Sequence, residues 1–254
     1  MREEWTSIVA HDLRQPITIV TLTAAALSKR YAARPSDGDA KLVERIGSAA
    51  ARLSRMIDDL LDASRIEANR LDIQPRELDL PRLVAEVVDR APNTAGRCVV
   101  SVQPLGEIHV FADPERIEQV LSNLLSNAVK YGDAGTDIHV DVASRNDHVE
   151  VTVTNRGRGI TAPELALLFS RFSRSREARA GGTPGLGLGL YISRGLIEAQ
   201  GGRMWVKSVP GAETSFHFTL PRGPGEGERS VAPPSAREQR DARDRHARTT
   251  APPR

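Results

Sequence analysis

The sequence predicts an α+β chain in which a helical hairpin precedes a sheet with helices on one face, and three observations carry that reading. From Arg2 to about Ala33, and from about Asp39 to Ala68, apolar residues recur at helical spacing, with the turn formers Ala33-Arg34-Pro35-Ser36-Asp37-Gly38 between them. After about Asp72 the rhythm changes to short strand-like runs alternating with helices. Beyond Pro221 the chain turns to Gly, Pro, Arg, Asp and Ser, with almost nothing apolar to bury. The expected organisation is a hairpin over 1–70, a linker over 71–80, an α/β domain over 81–221 and a disordered tail over 222–254.

In the second helix Leu42, Ile46, Ala49, Leu53, Met56, Leu60 and Ala63 alternate steps of four and three, the heptad rhythm of helices packed at a shallow angle. A second stripe through Val43, Ala50, Ile57 and Leu61 lies beside it. One hairpin buries only part of so wide an apolar surface, so two hairpins from two chains are expected to form a four-helix bundle, making a homodimer.

In the second domain, strands are predicted at Val99 to Val102, Ile108 to Phe111, Ile138 to Val142, Val149 to Thr154, Arg203 to Val206 and Ser215 to Leu220. Helices are predicted from Pro114 to about Tyr131 and from about Leu188 to Ala199. Asp113-Pro114 supplies an N-cap and a first-turn proline, which fixes the start of the first of these helices.

Composition narrows the function classes. The 254 residues are 39% apolar, enough for two modest domains, and a net charge of +2 gives no electrostatic case for nucleic acid. No apolar run approaches the ~20 residues of a membrane span, and the N-terminus lacks a basic-then-apolar leader. A cytoplasmic chain without membrane contact of its own is expected. Cys98 is the only cysteine, which excludes an intramolecular disulfide and a cysteine metal cluster, and it reads as a core residue. Trp205 and Phe216 read as core too. His109, His139, His148, His217 and His246 are scattered, with no pair at ligand spacing inside one element.

The chemistry-bearing residues begin in the first helix, at Ser7-Ile8-Val9-Ala10-His11-Asp12-Leu13-Arg14-Gln15-Pro16. On a helical projection His11 falls ~120° from the centre of the apolar arc and so faces outward. An adjacent carboxylate such as Asp12 can accept one ring proton and leave the other nitrogen nucleophilic. Pro16 has no N–H for the carbonyl of Asp12, so the helix is expected to bend there.

A second constellation is Asn123-Leu124-Leu125-Ser126-Asn127-Ala128-Val129-Lys130-Tyr131, where Asn123 and Asn127, four apart, share one helical face. Two glycine segments follow, Asn155-Arg156-Gly157-Arg158-Gly159-Ile160 at a strand end and Gly181-Gly182-Thr183-Pro184-Gly185-Leu186-Gly187-Leu188-Gly189-Leu190 before a helix. Glycine permits close backbone approach, and a helix N-terminus offers unpaired N–H groups to anions, so the second segment can cradle phosphates. It is not a P-loop, since no Gly-Lys-Ser/Thr ending is present.

From Trp5 to Pro221 these residues closely resemble the sensor histidine kinases of two-component systems, with their H, N, G1, F and G2 boxes in order. The resemblance implies a dimerising phosphoacceptor hairpin followed by an ATP-binding domain of the GHKL (Bergerat) sandwich type. His11 would be the phosphoacceptor and Asp12 its activating neighbour. Asn127 would help bind Mg²⁺, Asn123 and Lys130 would contact phosphates, and Tyr131 would lie near the nucleotide. Asn155, Gly157, Gly159, Ile160, Phe172, Gly185, Leu186, Gly187, Leu188, Gly189 and Thr214 would complete the ATP site, with Phe172 in a lid segment, Leu168-Phe169-Ser170-Arg171-Phe172. The implied activity is ATP-dependent autophosphorylation on His11, then transfer to an aspartate of a response regulator.

Three positions depart from the family pattern. Gln15 stands where threonine or asparagine is commoner, which puts phosphatase activity in doubt, and Glu213 stands where glycine is usual. Asn155 replaces an aspartate that accepts from the adenine amino group. An amide oxygen can accept that bond without the charge, and a rotated amide could donate to guanine instead, so looser base selectivity is expected. These departures keep open an ATP-binding scaffold that signals by partner binding alone. A chaperone- or topoisomerase-type clamp shares the nucleotide fold but lacks the H-box hairpin.

Overall fold

The computed structural model describes residues 17–18, 20–29, 37–91, 98–103, 108–173 and 186–222. The hairpin consists of α1, helical at 17–18 and 20–29, and α2, Asp37–Glu67. Of the two apolar stripes on α2, Val43, Ala50, Ile57 and Leu61 are buried, and Ile17 of α1 packs into the cluster with the last three. The other stripe is divided: Ala63 is buried and Leu60 half-buried against the core, whereas Ile46 is 48% and Leu53 47% exposed, as are Val20 and Leu22 on α1 at 44% and 65%.

The second part contains β1 (Arg76–Asp79), α3 (Leu80–Arg90), β2 (Cys98–Gln103), β3 (His109–Ala112) and α4 (Pro114–Tyr131). It continues through β4 (Ile138–Ser144), β5 (His148–Arg156), α5 (Ala162–Leu167), α6 (Gly189–Glu198), β6 (Met204–Val209) and β7 (Glu213–Pro221). Five strands make one sheet in the order β2-β4-β5-β7-β6, antiparallel except for the β2–β4 pair. Alternation along the strands decides which face is covered. Ile138, Val140, Val142, Val149, Val151, Val153, Phe216, Phe218 and Leu220 point into a core shared with Leu83, Val84 and Val87 of α3, Leu121, Leu124 and Leu125 of α4, and Ile192 and Leu196 of α6. The opposite face carries Thr152, Thr154, Ser215, Trp205 and His217. Phe216 is a core residue as expected, whereas Trp205 stacks on His217 with ring centroids 5.1 Å apart.

The stretch read as a linker, 71–80, is not all connector. Arg76–Asp79 pairs antiparallel with β3 as a two-stranded sheet, and Asp79 then caps α3 by accepting from the Arg82 N–H. Asp113 caps α4 through bonds from the N–H groups of Glu115 and Arg116, as its sequence position predicts. It does more than cap. The Gln74 N–H donates to its second oxygen, and its own N–H donates to the Gln200 side chain, so one buried carboxylate joins the connector, α4 and the end of α6. Among the described residues no helix is long and apolar enough to cross a membrane. The tail after Arg222 lies outside the described residues, as does the proposed bend at Pro16.

Candidate functional site

The amphipathic α4 is held to the sheet by Ile117, Val120, Leu121, Leu124, Leu125 and Ala128, all buried, which leaves its opposite side for polar work. On that side Asn123 donates through Nδ2 to Ser193 Oγ of α6 at 2.9 Å. The helices can approach because residue 189 is glycine: a Cβ there would stand 2.4 Å from Asn123 Oδ1. The first turn of α6 therefore meets the middle of α4. Leu186 and Gly187 lead into that turn, and Leu188, 1% exposed, anchors it in the core.

Asn127, one turn beyond Asn123, is partly exposed, and no hydrogen bond engages its amide among the described residues. An uncommitted amide oxygen beside open space suits Mg²⁺, which takes most of its ligands from phosphate and water. Lys130 follows on the same side. Burial by its surroundings, and then the charge of Arg55 on α2, lower its pKa below the ordinary lysine value, while Asp59 opposes them. Tyr131 ends the helix, 43% exposed.

The strand ends close the other wall. Asn155 of β5 is 6% exposed and pairs across the sheet with Thr214 of β7, also 6% exposed. The Asn155 amide has an orientation: Nδ2 donates to the Arg156 carbonyl at 3.2 Å. Gly157 bridges to Gly132, just past α4, and donates its N–H to Ala212 O at 3.1 Å. Gly159 has φ +69° and lies against the Val209 carbonyl. The Ile160 N–H donates to Ser208 Oγ at 2.9 Å, and Ser208 also bonds Thr214 Oγ1 at 2.8 Å, tying the first glycine segment to β6 and β7. Downstream, the Thr161 N–H, then its hydroxyl and then the Arg158 guanidinium hold the Glu164 carboxyl below its ordinary pKa. Phe172 has φ 58° and is 54% exposed, and its neighbour Arg171 pairs with Glu67 of α2.

This arrangement is one wall of polar α4 side chains facing a glycine-lined strand end, with a helix N-terminus against it. Residues 1–69 match the His kinase A (phospho-acceptor) domain family, and residues 112–224 match the histidine kinase-, DNA gyrase B-, and HSP90-like ATPase family. The chain belongs to the sensor histidine kinases. It is 34% identical over 223 residues to an adaptive-response sensory kinase SasA of Synechococcus sp. (strain JA-2-3B'a(2-13)), covering 85% of this chain and 58% of that protein. Against the sensor histidine kinase WalK of Bacillus subtilis (strain 168) it is 30% identical over 224 residues, covering 87% of this chain and 36% of that one. The chain thus spans little more than half the length of its SasA relatives. In fold it resembles full-length ShkA in complex with AMPPNP, with TM-score 0.69 and 24% identity over 85% of this chain and 45% of that one. The nucleotide-free catalytic domain of the histidine kinase ThkA aligns with TM-score 0.51 and 27% identity, over 59% of this chain and 96% of that one.

Of the residues expected at the nucleotide site, Asn123, Asn127, Lys130, Tyr131, Asn155, Gly157, Gly159, Ile160, Leu186, Gly187, Leu188, Gly189 and Thr214 lie on the elements and turns just described. Phe172 stands apart on the segment after α5. His11, Asp12, Gln15 and Gly185 lie outside the described residues. Sequence reading passed over Ser193 and Ser208, because a lone serine carries no pattern; both are identified by what they bond. It also passed over Asp59 of α2. Burial first, then the charges of Asp62 and Asp58, push the Asp59 carboxyl up to about 6 from 3.8, against the opposing pull of Arg55 and Lys130.

That shift predicts a pH dependence of stability. A carboxyl whose folded pKa is raised binds its proton more tightly when folded, so its contribution is complete below about pH 4 and is lost as pH rises through about 6. Asp59→Asn stays neutral throughout. Because Asp59 keeps partial contact with water, the shift is discounted for screening, and the variant should be more stable by about 1 kcal/mol at pH 7.5. Thermal melts should show it ~2–4 °C above wild type there and level with it at pH 4. A difference that does not change with pH would remove the assignment.

Proposed function

We propose that this chain uses ATP to phosphorylate His11 and then passes the phosphoryl group to an aspartate on the receiver domain of a response regulator. The observation that carries the ATP half is the meeting of Asn123, Asn127 and Lys130 on one side of α4 with the first turn of α6, through the Asn123–Ser193 bond and the close approach at Gly189. A helix N-terminus at Asn123 and a cationic side chain further along the same side of α4 are groups suited to polyphosphate. Asn127 would hold Mg²⁺, whose charge neutralises the phosphates. The lone pair of one His11 ring nitrogen attacks the γ-phosphorus, the bond to the β–γ bridging oxygen breaks, and ADP leaves; Asp12 accepts a hydrogen bond from the other ring nitrogen. The exposed Val20, Leu22, Ile46 and Leu53 support a homodimer in which a second hairpin covers them.

Incubation with γ-labelled ATP and Mg²⁺ tests this reading. Protein-bound label should be lost in acid and retained in alkali, as phosphohistidine requires. No label, or label stable in acid, would overturn it.

The Asn155 geometry sets a narrower expectation. With one Nδ2 hydrogen donated to the Arg156 carbonyl, the amide is oriented so that Oδ1 is its acceptor, and Oδ1 can accept from the adenine amino group. Turning the amide to suit guanine would oppose two acceptors and forfeit a bond of about 1 kcal/mol. The looser selectivity expected from the residue type is therefore opposed by its surroundings, and wild type should bind ATP at least fivefold more tightly than GTP. Equal affinities in a titration would show that the amide turns freely.

A further inference from the structure

On the covered face of the sheet three neighbouring strands change character in the same cross-strand row. β5 runs Val149, Val151, Val153 and then Asn155, and β7, followed toward the same end, runs Leu220, Phe218, Phe216 and then Thr214. β6 runs Met204, Val206 and then Ser208. Asn155 pairs with Thr214, and Thr214 with Ser208. Side chains alternate along a strand, so all three project on the side of the apolar core, at its edge. Asn155 and Thr214 are buried there, and a buried polar group is costly unless it has a partner.

The hydrogens of this row can be counted. Ser208 Oγ lies 3.0 Å from the Glu213 carbonyl, which can only accept, so the one hydroxyl hydrogen of Ser208 is donated there. That acceptor is main chain, so the glutamate side chain at 213 does not alter it. Ser208 Oγ also accepts from the Ile160 N–H at 2.9 Å. The 2.8 Å contact between Ser208 Oγ and Thr214 Oγ1 then has one direction: Ser208 has no hydrogen left, so Thr214 donates. Ser208 is complete, and Thr214 has only lone pairs to offer a further group. Beside it the Asn155 amide, held by the Arg156 carbonyl through Nδ2, presents Oδ1 as its acceptor.

We infer that Ser208 is a positioning residue for base selectivity: by taking the Thr214 hydrogen it fixes that hydroxyl as an acceptor, so that Thr214 and Asn155 meet a base through acceptors together. The inference rests on the reading of Asn155 and Thr214 as the base end of the ATP site. The adenine amino group supplies donors to such a row, whereas guanine carries a carbonyl oxygen at the equivalent position and sets acceptor against acceptor. Without Ser208 the Thr214 hydroxyl turns freely and can aim its hydrogen at that carbonyl.

Titrations of ATP and of GTP, each with Mg²⁺, against the whole chain decide it through the ratio of the GTP Kd to the ATP Kd. A purely structural loss weakens both nucleotides and leaves the ratio alone. Ser208→Ala also strands the Ile160 N–H, a loss common to both, and should lower the ratio roughly threefold or more. Ser208→Thr keeps the hydroxyl on a strand that suits a β-branched residue and should keep the ratio near that of wild type. Thr214→Val removes the hydroxyl itself, and adding Ser208→Ala to it should change the ratio no further, since nothing is left to turn. Ser208→Cys, whose thiol fills the place but is a weak acceptor, should shift the ratio as Ser208→Ala does, and decides the matter if that variant fails to fold. A folded Ser208→Ala or Ser208→Cys with the wild-type ratio overturns the role of Ser208 while leaving the ATP site standing, as does a further fall in the double variant. A wild type that binds ATP and GTP alike, or neither, overturns the reading of the base end and the inference with it.

Discussion

Replacing His11 with glutamine is expected to abolish transfer of label from γ-labelled ATP to the protein while leaving ATP affinity near wild type. The expectation follows from a separation along the chain. The residues assigned to ATP lie on α4, β5, α6, β7 and the segments beside them, all C-terminal to residues 1–69, and the proposed nucleophile is within 1–69, which match the phospho-acceptor family. Glutamine keeps a polar side chain of comparable length, but its amide nitrogen shares its lone pair with the carbonyl and does not attack phosphorus. No activation by Asp12 restores that, so the loss is of the acceptor itself and no slow residual rate is expected. The measurement is acid-labile, alkali-stable label per chain, set beside a titration of ATP. Such label persisting on the variant would move the phosphoacceptor to another histidine.

How far the sequence could be read follows the physics of each element. The boundaries of α4 were legible because a cap and a first-turn proline, Asp113 and Pro114, mark its start, and the strands were legible because they alternate against a single covered face. The helix α3 was passed over although Asp79, Pro81 and the buried Leu80, Leu83, Val84 and Val87 repeat the same signals over a shorter length. Its brevity, and the connector before it, hid it. β1 could not be read at all: Arg-Glu-Leu-Asp has no strand rhythm and is extended because β3 lies beside it.

The site was legible where it depends on residue type in a fixed local frame. Asn123 and Asn127 share a side of one helix wherever that helix goes. What the sequence withheld is what depends on contacts from a distance. The orientation of the Asn155 amide is set by a neighbouring carbonyl, the pKa of Asp59 by α4 as well as α2, and the pairing of the buried Asp62 by Arg116 and Gln119, more than fifty positions away. Each needs the packed domain before it has a meaning.

The first glycine segment allows the sharpest test of that packing, because two glycines in one loop cluster differ in a single respect. Gly159 and Gly211 both hold positive φ, +69° and +75°, a region in which a Cβ costs about 1–2 kcal/mol. At Gly211 an added methyl meets nothing within 4 Å, whereas at Gly159 it would stand 2.4 Å from the Val209 carbonyl and 2.6 Å from Pro210 Cα. Both obstacles are backbone and cannot swing aside as a flexible side chain would. The hydrogen bonds from Gly157 N–H to Ala212, from Gly211 N–H to Arg158 and from Ile160 N–H to Ser208 hold the two segments together, so relief of the clash must separate them. Overpacking of this kind adds roughly 1–3 kcal/mol. Gly211→Ala should therefore melt a few degrees below wild type, and Gly159→Ala roughly 5–15 °C below it. Because Asn155 and Thr214 border the displaced segments, Gly159→Ala should also lose at least tenfold in ATP affinity, while Gly211→Ala loses little. Thermal melts and ATP titrations on the two variants give the answer, and equal melting temperatures would show that the loop yields at Val209 without strain, removing the close approach at Gly159 as the reason glycine stands there.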